Sequence, residues 1–213
     1  MAVTVTADIV GSRRLVDRAA AQRTLDDAIA RVDADLPVAV RGLRPTVGDE
    51  EQGVFPSLDS ALTWLLLLQL ILPDGIECRF GVGIGPITDL PSASGGIPEG
   101  PGWWAAREAI DAVHALERRT APSARTRVAA AEGEAESTHA QVRIANAYLL
   151  ARDQIVAGMS ERTRRLAYGR CVGRTQRDLA ETEGITQSAV SQALATGGAA
   201  ALVEGLRALG GED

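Results

Sequence analysis

The succession of two hydrophobic periods constrains this chain more than any other feature. Residues 2–10 alternate Val3, Val5, Ala7 and Ile9 on one face, the period of a strand, and Gly11-Ser12 breaks it. Leu25, Ile29, Val32 and Leu36 then share one stripe at helical spacing until Pro37 closes the segment. Residues 38–47 and 52–55 are strand-compatible and flank Gly48-Asp49-Glu50-Glu51, which reads as a hairpin with an acidic tip. Ser57 can cap a helix whose Leu58, Leu62, Leu65, Leu66 and Leu72 face inward. From Glu77 to Ile87 the alternation of Cys78, Phe80, Val82 and Ile84 predicts another strand. The order is β-α-β-β-α-β, so the expected fold class is α+β with a ferredoxin-like palm.

A loop rich in Gly, Pro and Ser spans 88–102, a helix begins near Trp103, and residues 125–131 can supply one more strand. From Ser137 onward the pattern is helical throughout: 137–158, 160–170, a pair of short helices, then roughly 198–209. The small, polar stretch Gly133-Glu-Ala-Glu-Ser137 places a boundary within 132–140. The expected division is a palm over 1–135 and an all-α domain over 136–213.

Composition narrows the chemistry. All 22 basic residues are arginine, so no function here can depend on a lysine. Two distant thiols, Cys78 and Cys171, and two histidines, His114 and His139, make neither a disulfide framework nor a zinc site. The start MAVTVTADIV lacks the pattern of a signal peptide, and the apolar run Trp64–Leu72 is too short to span a bilayer. A cytoplasmic protein without a membrane partner is expected.

The segment Thr175–Leu194 carries the most specific local pattern. Thr175 and Asp178 have capping-box spacing, and Leu179 and Ala180 face inward. Gly184 can take the left-handed conformation of a tight turn, Ile185 plugs the corner, and Thr186 caps a second helix held by Val190 and Leu194. Gln187, Ser188, Ser191 and Gln192 are left outward, short polar groups able to bond base edges or phosphates, with Arg177 beside them. The pattern (175–195, within 160–196) resembles the helix-turn-helix of bacterial regulators and of promoter-recognising sigma-factor regions. It implies double-stranded DNA as a partner, with Arg162, Arg164, Arg165 and Arg170 of the preceding helix on the DNA backbone. A three-helix appendage used only for packing or dimerisation is the plainer alternative. Charge agrees modestly: 160–207 carries seven arginines against five acids, +2 on a remainder of −8.

In the palm, Asp8 ends the first strand and Asp49 sits in the hairpin. If the hairpin lies beside that strand, the two carboxylates meet and could hold Mg²⁺, with waters and substrate phosphates completing the shell. The turn Ile9-Val10-Gly11-Ser12 opens a helix in this reading, so its backbone N–H groups could take a phosphate. Each residue also has a plain structural role open to it. Asp8 can bond the Gly11-Ser12 turn, Asp49-Glu50 can be hairpin-tip acids, Arg107 a surface arginine, and Trp103-Trp104 core or interface.

The string ADIVGS is similar to the first motif of class III nucleotidyl cyclases and VGDE to their second; VGDE also resembles the GGDEF diguanylate cyclase signature. RFGVGIG resembles the strand that follows in both groups, and GPGWWAAREAI the cyclase segment carrying an Asn and, four residues on, an Arg. With the C-terminal helix-turn-helix, this combination resembles the SatD family over nearly the whole chain. The resemblance implies that Asp8 and Asp49 are metal ligands, that Arg107 is the transition-state arginine, that a nucleoside triphosphate is ligand or substrate, and that palms pair as homodimers. It departs where Trp103 replaces the Asn, Pro45 stands at the adenine-selecting lysine, and Val47 and Glu51 stand where GGDEF needs Gly and an aromatic. Those departures argue against an ordinary adenylyl or diguanylate cyclase. The sequence therefore points to a DNA-binding, regulatory protein whose palm binds a Mg-nucleotide or dimerises. The alternative is an active cyclase or nucleotidyltransferase of unusual base choice.

Overall fold

The computed structural model describes residues 2–46, 50–90 and 97–211. The palm runs β1 (Val3–Ile9), α1 (Arg18–Asp35), β2 (Arg41–Pro45), β3 (Glu50–Phe55), α2 (Leu58–Ile71) and β4 (Cys78–Ile84). A short hairpin of β5 (Thr88–Leu90) and β6 (Ile97–Glu99) leads to α3 (Pro101–Arg119) and β7 (Thr126–Ala130). The main sheet has the order β2-β3-β1-β4-β7, in which β7 is parallel to β4 and the other pairs are antiparallel. Its first four strands thus take the arrangement that a βαββαβ order requires.

Alternation decides which face of β1 and β4 meets what. Val3, Val5, Ala7 and Ile9, with Phe80, Val82 and Ile84, join one buried core with α1 and α2. The opposite face carries Thr4, Thr6, Gly81 and Gly83, and there α3 lies close enough that Thr4 Oγ1 donates to the Gly102 carbonyl at 2.8 Å. The contact needs glycine: a Cβ at Gly83 would stand 2.0 Å from the Gly102 oxygen, and one at Gly81 would stand 2.1 Å from the Ala106 oxygen.

The helices that follow are α4 (Glu136–Ala157), α5 (Glu161–Cys171), α6 (Gln176–Glu183), α7 (Gln187–Ala195) and α8 (Ala199–Gly210). Helix α4 covers the outer edge of β7. There Asn146 imitates a neighbouring strand: its Oδ1 accepts from Val128 N and its Nδ2 donates to Val128 O, both at 2.9 Å. Helices α5 and α8 pack on α2, and one apolar core runs from Val3 to Leu202. No helix among the described residues is long and apolar enough to cross a membrane.

Glu51 on β3 is an exception within this core. It is 1% exposed; Gln22 Nε2 donates to its Oε1 at 2.8 Å, and its Oε2 has no partner. Burial pushes its carboxyl above the usual Glu range, against the hydrogen bond from Gln22. A raised folded-state value means that the folded chain binds the proton more tightly than the unfolded one. Stability is therefore lost as pH rises through that value. Glu51→Gln is expected to raise stability at pH 7 by about 1 kcal/mol, with the gain vanishing toward pH 4. Melting curves across that range check it; a variant less stable than the wild type at pH 7 would contradict it.

Candidate functional site

Two places carry the candidate side chains: the sheet face under α3 and the α6–α7 pair. On the sheet, Asp8 of β1 lies opposite Glu50 of β3 and opposite Arg79 of β4. Arg79 grips both oxygens of Asp8, with Nε to Oδ1 at 2.9 Å and Nη2 to Oδ2 at 3.2 Å. Its Nη1 donates to Glu117 Oε2 at 3.0 Å, from the last turn of α3. Burial opposes the charge on Arg79, but Asp8 and Glu117 outweigh it and raise its basicity further.

Beside this pair, Glu50 accepts from Thr6 Oγ1 at 2.9 Å, from Gln52 Nε2 at 3.0 Å, and from Arg107 on its other oxygen. Burial would raise its carboxyl, yet the bonds from Arg107, Gln52 and Thr6 hold it below the ordinary Glu range. Arg107 is half-exposed, and Asp8 and Asp111 add to the field that Glu50 sets up around it. Acids and guanidinia therefore alternate as Glu117, Arg79, Asp8 and then Glu50, Arg107, three carboxylates against two arginines, with Arg125 adding a third cation 3.4 Å from Glu117.

The predicted site residues fare differently. Asp8 and Arg107 share this face, Arg107 pairing with Glu50, the residue opposite Asp8. Asp49 lies outside the described residues, as does Val47. The turn at 9–12 does not open a helix of useful length. Ser12–Arg14 makes one 3-10 turn, and α1 starts at Arg18 under its own cap, Asp17, which accepts the Ala20 N–H. Val10 N–H is spent on Glu77 O at 2.8 Å. The helix expected to open at Ile9, Val10, Gly11 and Ser12 starts instead at Arg18, after the left-handed Gly11 and the Ser12–Arg14 turn.

Of the two acids expected to hold metal in a two-metal centre, Asp8 and Asp49, only Asp8 lies among the described residues. Such a centre needs carboxylate oxygens free to face a cation, and both Asp8 oxygens face a guanidinium instead. Among the described residues no group of three or more His, Cys, Asp or Glu could hold a metal ion. Arg79 was missed in the sequence, although its place was legible. In RFGVGIG the apolar Phe80, Val82 and Ile84 claim one face, which puts Arg79 on the face of Asp8 by alternation.

In the α6–α7 pair, Thr175 and Asp178 form the reciprocal capping box, Gly184 is left-handed at φ 64°, and Thr186 accepts the Ala189 N–H. Leu179, Ala180, Val190 and Leu194 are buried, and Arg177, Gln187, Ser188, Ser191 and Gln192 are exposed. Arg164, Arg165 and Arg170 of the preceding helix already hold partners within the protein. Arg164 donates to Leu72 O and Asp74, Arg165 forks onto Glu183, and Arg170 binds Arg174 O.

A family model described as the SatD family matches residues 2–203. The chain belongs to the SatD family. No curated protein matches this SatD chain. Among solved structures it is similar to the guanylate cyclase domain of Catenaria anguillulae in complex with GTP, at 22% identity and TM-score 0.42, covering 52% of this chain and 72% of that one. It is also similar to a bacterial light-regulated adenylyl cyclase, at 14% identity and TM-score 0.44 over 60% of this chain and 74% of that one. A third is the adenylyl cyclase CyaB from P. aeruginosa, at 9% identity and TM-score 0.37 over 55% and 81%.

Proposed function

We propose that this SatD protein binds double-stranded DNA through α7 and acts as a regulator, with the palm as a nucleotide-binding or dimerising module rather than a catalyst. One observation carries the reading. α7 turns a continuous face of Gln187, Ser188, Ser191 and Gln192 to solvent, while Val190 and Leu194 anchor its other face. A helix used only for packing has no need of four exposed amide and hydroxyl groups on the turns that follow a left-handed Gly turn. Arg177, paired among the described residues with Glu181 in its own helix, is placed to exchange that partner for a phosphate.

The palm's part follows from its ion pairs. Asp8 held by Arg79 supports a palm that does no metal chemistry, and a nucleoside triphosphate, with or without Mg²⁺, would enter as a ligand. Trp104, 62% exposed in the first turn of α3, supports the pairing of two palms, which would also double the basic footprint on DNA. The active-enzyme alternative, with metals on Asp8 and Asp49, draws on Asp8 and Arg107 sharing one face; it requires Arg79 to let Asp8 go. Turnover of any nucleoside triphosphate that Asp8→Ala abolishes would establish that alternative.

Fluorescence anisotropy with labelled duplexes tests the DNA reading. Arg177→Ala is expected to weaken binding evenly across sequences and to lower the log–log salt slope by about 1. Gln187→Ala is expected to cost about 1–3 kcal/mol on the preferred duplex and little on others. Equal binding by wild type and both variants would remove α7 from the interface.

A further inference from the structure

A cavity of about 520 Å³, not yet assigned a role, lies below the N-terminal end of β4, between the 72–78 loop, the 122–125 loop and the end of α4. That volume lies in the range of small-molecule sites. Its floor is apolar and buried, made by Leu72, Cys78, Val156 and Met159, and its rim includes the exposed Asp74, Glu77, Gln154 and Ala157. The wall also holds Gln69, 9% exposed. Its Nε2 donates to Asp153 Oδ1 at 3.2 Å, which fixes the amide's orientation, and its Oε1 accepts from nothing. A buried carbonyl oxygen without a donor is costly, and a ligand N–H or O–H would satisfy it.

The charges around the cavity are already matched. Arg164 pairs with Asp74 and Arg125 with Glu77, while Asp153 faces Arg152 and two backbone N–H groups. An ionic ligand would therefore meet no unmatched counter-charge. At the mouth, Gln154 accepts from Ser123 on its Oε1 and keeps its amide NH₂ for a ligand acceptor. An acceptor in the wall, a donor at the mouth and apolar surface between them suit a flat polar heterocycle.

We propose that this cavity binds an uncharged, nucleoside-sized heterocycle that donates an N–H to Gln69 Oε1. The site is separate from the Asp8 face and from α7, and it does not depend on either of their readings. The test is calorimetric titration and thermal melting of the full chain with adenosine, guanosine, cytidine and uridine at about 1 mM. At least one is expected to bind and, at roughly 100-fold above its Kd, to raise Tm by about 5 °C or more. Ala157→Trp, which fills the mouth from an exposed helical position, is expected to weaken binding at least ten-fold without changing the unliganded Tm. Gln69→Met, which keeps the side-chain length and removes the acceptor, should do the same to affinity. Asp8→Asn should leave binding intact. If none of the four binds, or if binding survives Ala157→Trp or Gln69→Met, the proposal is overturned; loss on Asp8→Asn would move the site to the palm face and overturn it equally.

Discussion

Asp153→Ala is expected to destabilise the protein by about 3–5 kcal/mol, the cost of leaving a buried charge without its partner. Asp153 and Arg152 both have fully buried side chains. Oδ2 of Asp153 accepts from the Arg125 and Thr126 backbone N–H groups, each at 2.7 Å, and Oδ1 accepts from Gln69 and Arg152. Removing it strands a guanidinium and two backbone donors at once, where α4 meets β7 and α2. For a chain of this size the loss corresponds to a Tm lower by roughly 10 °C. Arg152→Met should cost markedly less. It keeps the volume, removes a cation whose Nη1 already lacks a partner, and leaves Asp153 its backbone donors. Thermal or urea melting of the two variants decides the matter; Arg152→Met proving the more damaging would mean that Asp153 is not the centre of the network.

Gly83→Ala is expected to cost about 3 kcal/mol or more, because the added methyl would meet backbone that cannot swing aside. Its Cβ would lie 2.0 Å from the Gly102 oxygen and 2.5 Å from Ala106 N, so α3 would have to lift from β4. The site would move with it, since α3 carries both Arg107 and Glu117. Their bonds to Glu50 and Arg79 would break along with that from Thr4 to Gly102. Gly133→Ala, where an added Cβ meets nothing within 4 Å, is the control and should be close to neutral. Chemical denaturation, with the fluorescence of the buried Trp103 as reporter, measures both. A Gly83→Ala protein as stable as Gly133→Ala would refute the close seating of α3.

What could be read from the sequence was what local chemistry determines. The alternation of β1 and β4, the caps at Ser57 and Thr175 and the left-handed turn at Gly184 depend on neighbours within a few residues, and the structure has them. Helix α2 shows a signal only half used. A single inward stripe was expected, yet Ala61, Leu62 and Trp64 through Leu70 are all buried. A helix apolar all round needs cover on both sides, and here the sheet lies on one side while α5 and α8 lie on the other. That arrangement also joins, through one core, the stretches separated at 135/136. Asn146, Arg152 and Asp153 gave no signal, because polar residues on a long helix ordinarily face water. Only the edge of β7, brought there by topology, explains them. On the candidate face the motifs single out Asp8 and Arg107, and alternation puts Arg79 beside Asp8, but which charges Arg79 and Glu50 take up depends on the register between strands.

The most direct test of the central claim is selection of duplexes from a randomised DNA pool on the full-length protein at low salt, sequenced before and after. The wild type is expected to enrich a defined sequence. This enrichment should be lost when Gln187 and Ser191 are both changed to alanine and kept when Asp8 is changed to asparagine. A pool that emerges unenriched, or one enriched equally by the α7 double variant, would contradict it.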